Sequence, residues 1–417
     1  MDFVSNLCLI VDGYSAGRFL PLELKKYGFD CVHVQSTPII PKFYRASFNK
    51  EDFIANIIYE GNIEETLEDL SKYNISFLMV GAESGVEFAD FLSEKMGLAS
   101  NGTRLSKARR NKFEMAEAVR KAGLKSVNHI KSSSVDVILA WANHQGTWPV
   151  VLKPVDSVAT DNVVFCENEA DIASAFKRII ESKNRMDKQN TEVLAQEFLH
   201  GTEYFVNTVS SQGKHYVAGI WQYSKRRVPG AAYIYDMEEA LPFDGEVQAA
   251  LCNYIYRVLD ALEISFGPAH TEVMMTKDGP VLIETGARLG GSIIPAAVSK
   301  CLEFNQVELA VESYVNYQKF LTRIGKPYLL RHNAIYVSLI SEQEGIVRSL
   351  SRIDEIRQLP SFFDMHLSIT VGSQLKKTVD SRTSPGFVYL IHDNPEVLRQ
   401  DYHAIRILER NGIYEVA

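Results

Sequence analysis

Cysteine is scarce in this chain and badly placed for cross-linking. The five residues, Cys8, Cys31, Cys166, Cys252 and Cys301, are odd in number, scattered and mostly set in apolar runs. No CxxC pair or Cys/His spacing suggests zinc. Buried, reduced thiols in a cytosolic protein are the expectation. Long apolar runs are missing as well: nothing approaches the roughly 20 residues of a membrane span. The opening "MDFVSNLCLIVDGYS" has no basic leader region and no cleavage site. A cytoplasmic protein without membrane contact is expected. Excess positive charge is also absent. The formal balance is −8, which argues against general nucleic-acid binding, since that needs a basic field to displace counterions. A local anion site built from a few Lys and Arg remains open. There is no internal repeat and no low-complexity tract. Gly13 and Gly17 do not complete a GxGxxG fingerprint and read as closing a strand–helix turn. No Ser or Cys stands out as a nucleophile.

What is present is a steady alternation of strand and helix patterns, the mark of α/β architecture. A length of 417 residues suits two or three domains. Strands are predicted over 7–11, 31–34 and 75–80, with helices over 18–27 and from "GAESG" to about Met96. That rhythm describes a small doubly wound unit. A charged helix over 106–122 follows, ending at Gly123. Further strands are expected over 150–153, 163–166, 193–198, 204–210 and 215–221, with helices over 171–182 and 245–262. "YSKRRVPGAAY" reads as a long basic loop. "SITVGSQLKKTVDSRTSPGFVYLI" reads as antiparallel sheet turning tightly at Pro385-Gly386.

The chemistry concentrates in "HTEVMMTKDGPVLIETGARLGG". Asp278-Gly279 signals a hairpin turn. A turn centred near Asp278 sets Glu272 opposite Glu284, on one face of the sheet. Two acids facing each other across a ladder repel. Three arrangements allow it: a solvated surface, a shared proton, or a cation between them. The flanks "VMM" and "VLI" are apolar and disfavour a solvated surface. Hard cations such as Mg²⁺ take carboxylate and phosphate oxygens together, so the hairpin reads as a metal–phosphate platform. Arg288 would add a fork for phosphate or carboxylate. Gly290 and Gly291 leave backbone N–H groups for an anion.

This hairpin resembles that of the ATP-grasp ligases, whose members show Glu, a turn, then Glu-x-Asn-x-Arg. Glu272, Glu284 and Arg288 match. Gly286 stands in place of Asn, so a metal ligand is missing or replaced by water. "IETGARLGG" is most similar to the L-amino acid ligases, the branch that forms dipeptides. Other segments then resemble the family in order. "RRNKFEMAEAVRKAGL" supplies a phosphate-reaching lysine, Lys112. "VVLKPVDSVATDNVVFC" supplies a second, Lys153, and a loop over the phosphates that is poor in glycine (Ser157, Val158, Ala159, Thr160, Asp161, Asn162). "LAQEFLHGTEYFVN" is similar to the strand that receives adenine. Gln196, Glu197, Phe198 and Leu199 would meet the base, and Glu203 the ribose hydroxyls.

The resemblance implies an ATP-grasp fold with an N-terminal doubly wound domain (1–105), an ATP-grasp domain (106–305, its ATP-covering part about 125–195) and a C-terminal α+β lid domain (306–417). It implies ATP and Mg²⁺ (Mn²⁺ as a substitute) as cofactors, and small amino acid or carboxylic acid substrates. A homodimer stays open. The implied activity is a carboxylate–amine ligase working through an acylphosphate, with a role in peptide natural-product synthesis. Two other readings stay open: a bicarbonate-using, carboxyphosphate-forming enzyme of purine or biotin type, and a nucleotide-binding protein without turnover. Lys153, Arg288, Gly291 and His270 are the candidate catalytic residues, His270 as a base if the strand is regular there. Glu83, Arg226 and Arg288 are candidates for the substrate, with Glu83 meeting an ammonium or capping its helix.

Overall fold

The structure is a computed structural model, and it describes residues 6–157, 161–227, 233–291, 293–380 and 383–417. The first five residues therefore lie outside the description, as do Val158, Ala159 and Thr160 of the phosphate-covering loop and 228–232 of the basic segment.

The apolar run at the start of the chain forms β1 (Asn6–Val11), which is buried from Leu7 onward. It is central in a parallel sheet of order β3-β2-β1-β4, with β2 (Phe29–Gln35), β3 (Ala55–Ile58) and β4 (Ile75–Val80). Strands covered on both faces read as continuous apolar runs, which is why β1 was legible. The helices α1 (Leu20–Lys25), α2 (Ile63–Leu70) and α3 (Val86–Lys95) complete the unit. The loops after β1 and β4 cross at the carboxyl edge of the sheet. A Cβ on Gly17 would sit 2.4 Å from the Cα of Gly81, so only glycines permit the crossing.

The charged helix α4 (Lys112–Lys121) is shorter than the sequence suggested. Asn111 caps it by accepting hydrogen bonds from the N–H groups of Phe113 and Glu114, each at 3.1 Å. Gly123, at φ +74°, lies just beyond its end. Next come β5 (His129–Ser132), α5 (Val135–Gln145), β6 (Val150–Pro154), β7 (Val164–Cys166), α6 (Glu169–Ile180) and β8 (Val193–Glu197). Their strands form an antiparallel sheet of order β5-β8-β6-β7 with its own core of Ile138, Leu152, Ile172 and Ala195.

The largest sheet has eight strands. It runs β13-β12-β9-β10-β11-β14-β18-β16. Its members are β9 (Thr202–Ser211), β10 (Lys214–Arg226), β11 (Ile234–Leu241), β12 (Gly267–Thr276), β13 (Gly279–Gly286), β14 (Asn333–Ser338), β16 (Phe362–Leu367) and β18 (Gly386–His392). Helix α7 (Glu246–Ala261) backs the β12–β13 hairpin: the Tyr254 hydroxyl accepts a 2.9 Å hydrogen bond from the N–H of Leu282. Helices α8 (Pro295–Cys301), α9 (Gln306–Val315) and α10 (Tyr317–Leu321) follow, and α9 opens on a capping box built by Asn305 and Glu308. The remainder is β15 (Gly345–Ser349), α11 (Asp354–Arg357), β17 (Gln374–Leu375), α12 (Pro395–Arg410) and β19 (Glu415–Val416), with a small sheet of order β17-β15-β19.

Two expectations are corrected here. The segment read as a basic loop is strand through Arg226, because β10 continues along β11 from Trp221 to Arg226. The proposed hairpin at Pro385-Gly386 does not form. Its two arms serve different sheets: β17 pairs with β15, while β18 pairs with β14 and β16. Thr383 hydrogen-bonds with Thr378 and Asp380 where the first arm was expected to continue. The five cysteines are all buried and unbridged, as expected. No helix among the described residues is long and apolar enough to cross a membrane.

Arg109 ties the parts together. Its side chain has 0% exposure. It donates to Asp90 Oδ2 at 2.9 and 3.1 Å, to the Leu262 carbonyl at 2.9 Å, and to the Gly102 carbonyl. Removing one member of a buried ion pair strands the other charge. Asp90→Ala should therefore lower the unfolding free energy by about 3–5 kcal/mol, read from urea titrations. A loss under about 1 kcal/mol would show that Arg109 finds adequate partners without this acid.

Candidate active site

Two cavities meet at the β12–β13 hairpin. One, of about 550 Å³, lies between the four-stranded sheet and the hairpin. The other, of about 410 Å³, lies between the N-terminal loops, the hairpin and the C-terminal strands. They share Tyr223, Tyr235, Glu272 and Glu284.

The shared wall owes its acids to an irregular ladder. The turn is Lys277-Asp278, closed by the Thr276–Gly279 pair. A regular hairpin from that turn would pair Glu272 with Ile283. A register shift between Glu272 and Val273 instead sets Glu272 opposite Glu284. The facing pair was expected, and the bulge that produces it was not. The ladder is regular from His270 to Glu272, so these two share a face. The His270 Nε2 lies 3.6 Å from Glu272 Oε1, and its Nδ1 lies 2.8 Å from Asn207 Oδ1.

Cations gather at this pair. Lys112 Nζ lies 2.8 Å from Glu284 Oε2 and donates to the Ser157 carbonyl at 2.7 Å. Lys153 is buried at the end of β6. Burial, with help from the Lys112 charge, pushes its ammonium down to about 8. Burial would raise the Glu284 carboxyl, but Lys112, Lys153 and Arg288 outweigh it and hold it at about 2.

Arg288 is fixed from the other side. Its Nε donates to Glu83 Oε2 at 2.7 Å, and Arg110 Nη1 donates to Glu83 Oε1 at 2.6 Å. Burial works against the Glu83 anion, yet Arg288 and Arg110 bring its pKa below the ordinary value. Glu83 lines the smaller cavity, and where a substrate ammonium was expected its two oxygens hold the guanidinium groups of Arg288 and Arg110. It also makes no side-chain capping bond. The same pair explains the glycine at 286. A Cβ there would lie 2.7 Å from Glu83 Oε2 and 3.0 Å from Arg288 Cζ, so the space of the usual third ligand is taken.

The larger cavity is lined by Lys112, Lys153, Gln196, Glu197, Phe198, Leu199 and Glu203, all of the residues expected to bind ATP. An aromatic rim accompanies them: Phe165 meets Phe198 and Tyr233 edge-on at 5.6 and 5.5 Å. The Glu197 carboxylate accepts from the Asn128 N–H at 2.8 Å, which anchors β8. Lys225 holds both oxygens of Glu203, at 2.8 and 2.6 Å. The smaller cavity receives His270, Arg288 and Gly291. Gly290 is spoken for, since its N–H donates to Gln306 Oε1 at 2.9 Å. Gly291 has open space around it.

Arg226 lines neither cavity. It pairs with Asp236 at 3.1 Å and donates to the Tyr402 hydroxyl at 3.3 Å, so its expected substrate role is withdrawn. Sequence reading missed Arg110, Asn207, Tyr223 and Glu238. Arg110 stood two places before Lys112 in "RRNK", where a buried guanidinium gives no local signal. Tyr223 had been placed in a loop, and β11 had not been identified, which hid Glu238.

The two acids fit a hard cation: paired carboxylates on one face, beside a cavity with two lysines for phosphate. Among the described residues no three His, Cys, Asp or Glu side chains gather into a self-sufficient metal cage. The hairpin thus suits a cation that draws its other ligands from phosphate and water.

The chain is similar to known proteins along nearly its whole length. A family model of the ATP-grasp domain matches residues 147–296. Dapdiamide A synthase of Enterobacter agglomerans is 33% identical over 423 residues, covering 98% of this chain and 97% of that protein. The crystal structure of L-amino acid ligase from Bacillus licheniformis superposes with a TM-score of 0.76 at 18% identity, over 96% of this chain and 97% of that one. An ADP complex of N5-carboxyaminoimidazole ribonucleotide synthetase gives 0.70 at 17% identity, over 97% of both chains. These two structures show the shared fold.

Lys153 supplies a pH test. Its ammonium is charged below about 8 and neutral above, while a bound phosphate would hold the proton on. Triphosphate affinity should then fall about tenfold per pH unit above 8, by calorimetric titration with ATP. Lys153→Arg, whose guanidinium keeps its proton, should flatten the decline. Equal wild-type affinity at pH 7 and pH 9.5 would remove Lys153 from the phosphate site.

Proposed function

The chain belongs to the ATP-grasp ligases, which use ATP to form C–N bonds, and on that premise we propose that it joins the carboxyl group of an amino acid, or a related carboxylic acid, to the amino group of an amino acid. One observation carries the reading: two cavities, one suited to a nucleotide and one to small substrates, meet at a wall that contains both glutamates. A phosphoryl group at that wall touches both. The relatives support the substrate class. One is named for synthesising dapdiamide A, another for ligating L-amino acids. The first is related along nearly its whole length, which favours an amide-forming ligase over the bicarbonate users, whose likeness is one of fold.

The proposed division of labour follows from charge. The aromatic rim and the backbone of 196–199 receive the base, and Glu203, oriented by Lys225, accepts from the ribose. Lys112 and Lys153 offset phosphate charge. Glu272 and Glu284 would hold Mg²⁺, or Mn²⁺ in its place, which when bound neutralises the phosphate oxygens at the junction. Arg288, held rigid by Glu83 and by its own hydrogen bond to the Leu289 carbonyl at 2.9 Å, steadies the carboxylate oxygen as it attacks and the acyl oxygen afterwards. The Gly291 N–H supports the same oxygen. His270, turned by Asn207, takes a proton from the incoming amine. The smaller cavity keeps water from the acylphosphate through its wall of Phe205, Trp221, Tyr223 and Tyr336. A role in peptide natural-product synthesis accords with this chemistry.

Pairs of L-amino acids should stimulate phosphate release from ATP, with product identified by mass. Arg288→Ala should lower kcat by about 100- to 1000-fold, and Glu284→Ala should abolish release in a variant that remains folded by circular dichroism. EDTA should stop turnover and excess Mg²⁺ restore it. Unchanged rates for Glu284→Ala, or release that needs bicarbonate instead of an amine, would overturn the reading.

A further inference from the structure

Arg110 stands between two acids. Its Nη1 donates to Glu83 Oε1 at 2.6 Å, and its Nη2 donates to Asp156 Oδ1. Glu83 in turn stands between two guanidinium groups, since its Oε2 accepts from Arg288 Nε at 2.7 Å. Asp156, Arg110, Glu83 and Arg288 thus form a line of alternating charge. The Asp156 end is 27% exposed, while the Arg110 and Glu83 side chains are 5% and 8% exposed. Burial works against the Arg110 cation, and the charges of Glu83 and Asp156 outweigh it.

Asp156 belongs to the loop that follows β6, and residues 110–112 grip that loop three times. The Lys112 N–H donates to the Val155 carbonyl at 3.0 Å, Arg110 takes the Asp156 carboxylate, and Lys112 Nζ donates to the Ser157 carbonyl at 2.7 Å. Lys188 Nζ lies 3.7 Å from the other Asp156 oxygen, on an exposed side chain, and contributes little. Pro154 and Ser157, on either side, line the larger cavity, and Arg288 lines the smaller one. Asp156 lines neither, so its carboxylate faces the arginine and not a ligand.

A guanidinium group pairs best with a carboxylate through two nitrogens at once. Were Asp156 uncharged, Arg110 Nη2 would lose its acid, and Arg110 would close on Glu83 with both nitrogens. The second Glu83 oxygen is the one that holds Arg288. We propose that Asp156 is a positioning residue for Arg288: by occupying one arm of Arg110 it leaves Glu83 Oε2 to Arg288, so the aim of that arginine depends on where the loop after β6 sits. The inference rests on the ligase reading above and adds to it a link between the two cavities. A loop seated over phosphate sets Arg288 for the acyl oxygen, and a displaced loop frees Arg110 to draw Glu83 away.

Two arms test this, each with Asp156→Asn and Asp156→Ser. In the first, the full chain without nucleotide is treated with phenylglyoxal, and modification of Arg288 is followed by peptide mass mapping. Arg288 should react several-fold faster in both variants than in wild type, and Asp156→Glu should restore the slow rate. In the second, turnover with pairs of L-amino acids is measured. Asp156→Asn should lower kcat by about 10- to 100-fold, with the KM for MgATP within about twofold of wild type. In an Arg288→Ala background the same substitution should change kcat by less than about twofold, because the two residues act in one line. An acid that merely steadies the phosphate loop would raise the KM for MgATP and cost the same in both backgrounds. Equal Arg288 modification in wild type and variants, or equal kcat losses in the two backgrounds, overturns the proposal. If no amino acid pair supports turnover, the ligase reading falls, and the modification arm still decides the role of Asp156.

Discussion

The structure turns on charge confined to a poorly solvated junction. Two glutamates are forced onto one face of a hairpin by a one-residue bulge, and two lysines and an arginine converge on them. None of these groups would be comfortable there alone. Burial pushes Lys153 toward neutrality and would push Glu284 toward its acid form. Together they hold each other charged, and together they match a polyphosphate with a divalent ion, which brings both signs at once. On the function proposed above, the contact between Lys112 and Glu284 would be exchanged for phosphate and cation when the site is loaded.

A second constraint joins the N-terminal unit to this junction. Glu83 comes from the loop after β4, at the carboxyl edge where open α/β sheets place their ligands. Here that edge delivers an anion to Arg110 and Arg288. The arginine expected to work on the substrate is thereby aimed by a residue two hundred positions away. The glycine at 286 follows from the same contact, because an asparagine side chain and the Glu83–Arg288 pair would occupy one space. The glycine thus leaves the Glu83–Arg288 pair undisturbed.

Legibility in the sequence tracked how local each signal was. β1, the hairpin and its facing acids could be read because apolar runs and an Asp-Gly turn are short-range features. Lys153 could be read because a lysine ending an apolar strand is out of place. The bulge behind Glu272 could not, since either register satisfies the same alternation. Glu83 and Arg226 were misjudged for one reason. Their partners, Arg110 and Arg288 for the one and Asp236 and Tyr402 for the other, are remote in the chain or hidden in an unidentified strand. β11 itself, "IYDMEEAL", mixes acids with apolar residues, so its alternation is broken even though Pro229-Gly230 and Asp244-Gly245 flank it in the sequence.

The sheet's continuity bears on how such a site diversifies. β12 and β13 carry Glu272 and Glu284, while β11, β14, β16 and β18 carry the far wall of the smaller cavity. Both belong to one hydrogen-bonded sheet, so the wall is held rigidly against the reacting centre. Yet its side chains come from segments that share no ladder pair with the hairpin. Substitutions at Glu238, Tyr336 or His366 can reshape what is bound without moving Glu272 or Glu284. A rigid sheet with Glu272 and Glu284 at one edge and the cavity wall a few strands away permits the wall to vary without disturbing the hairpin.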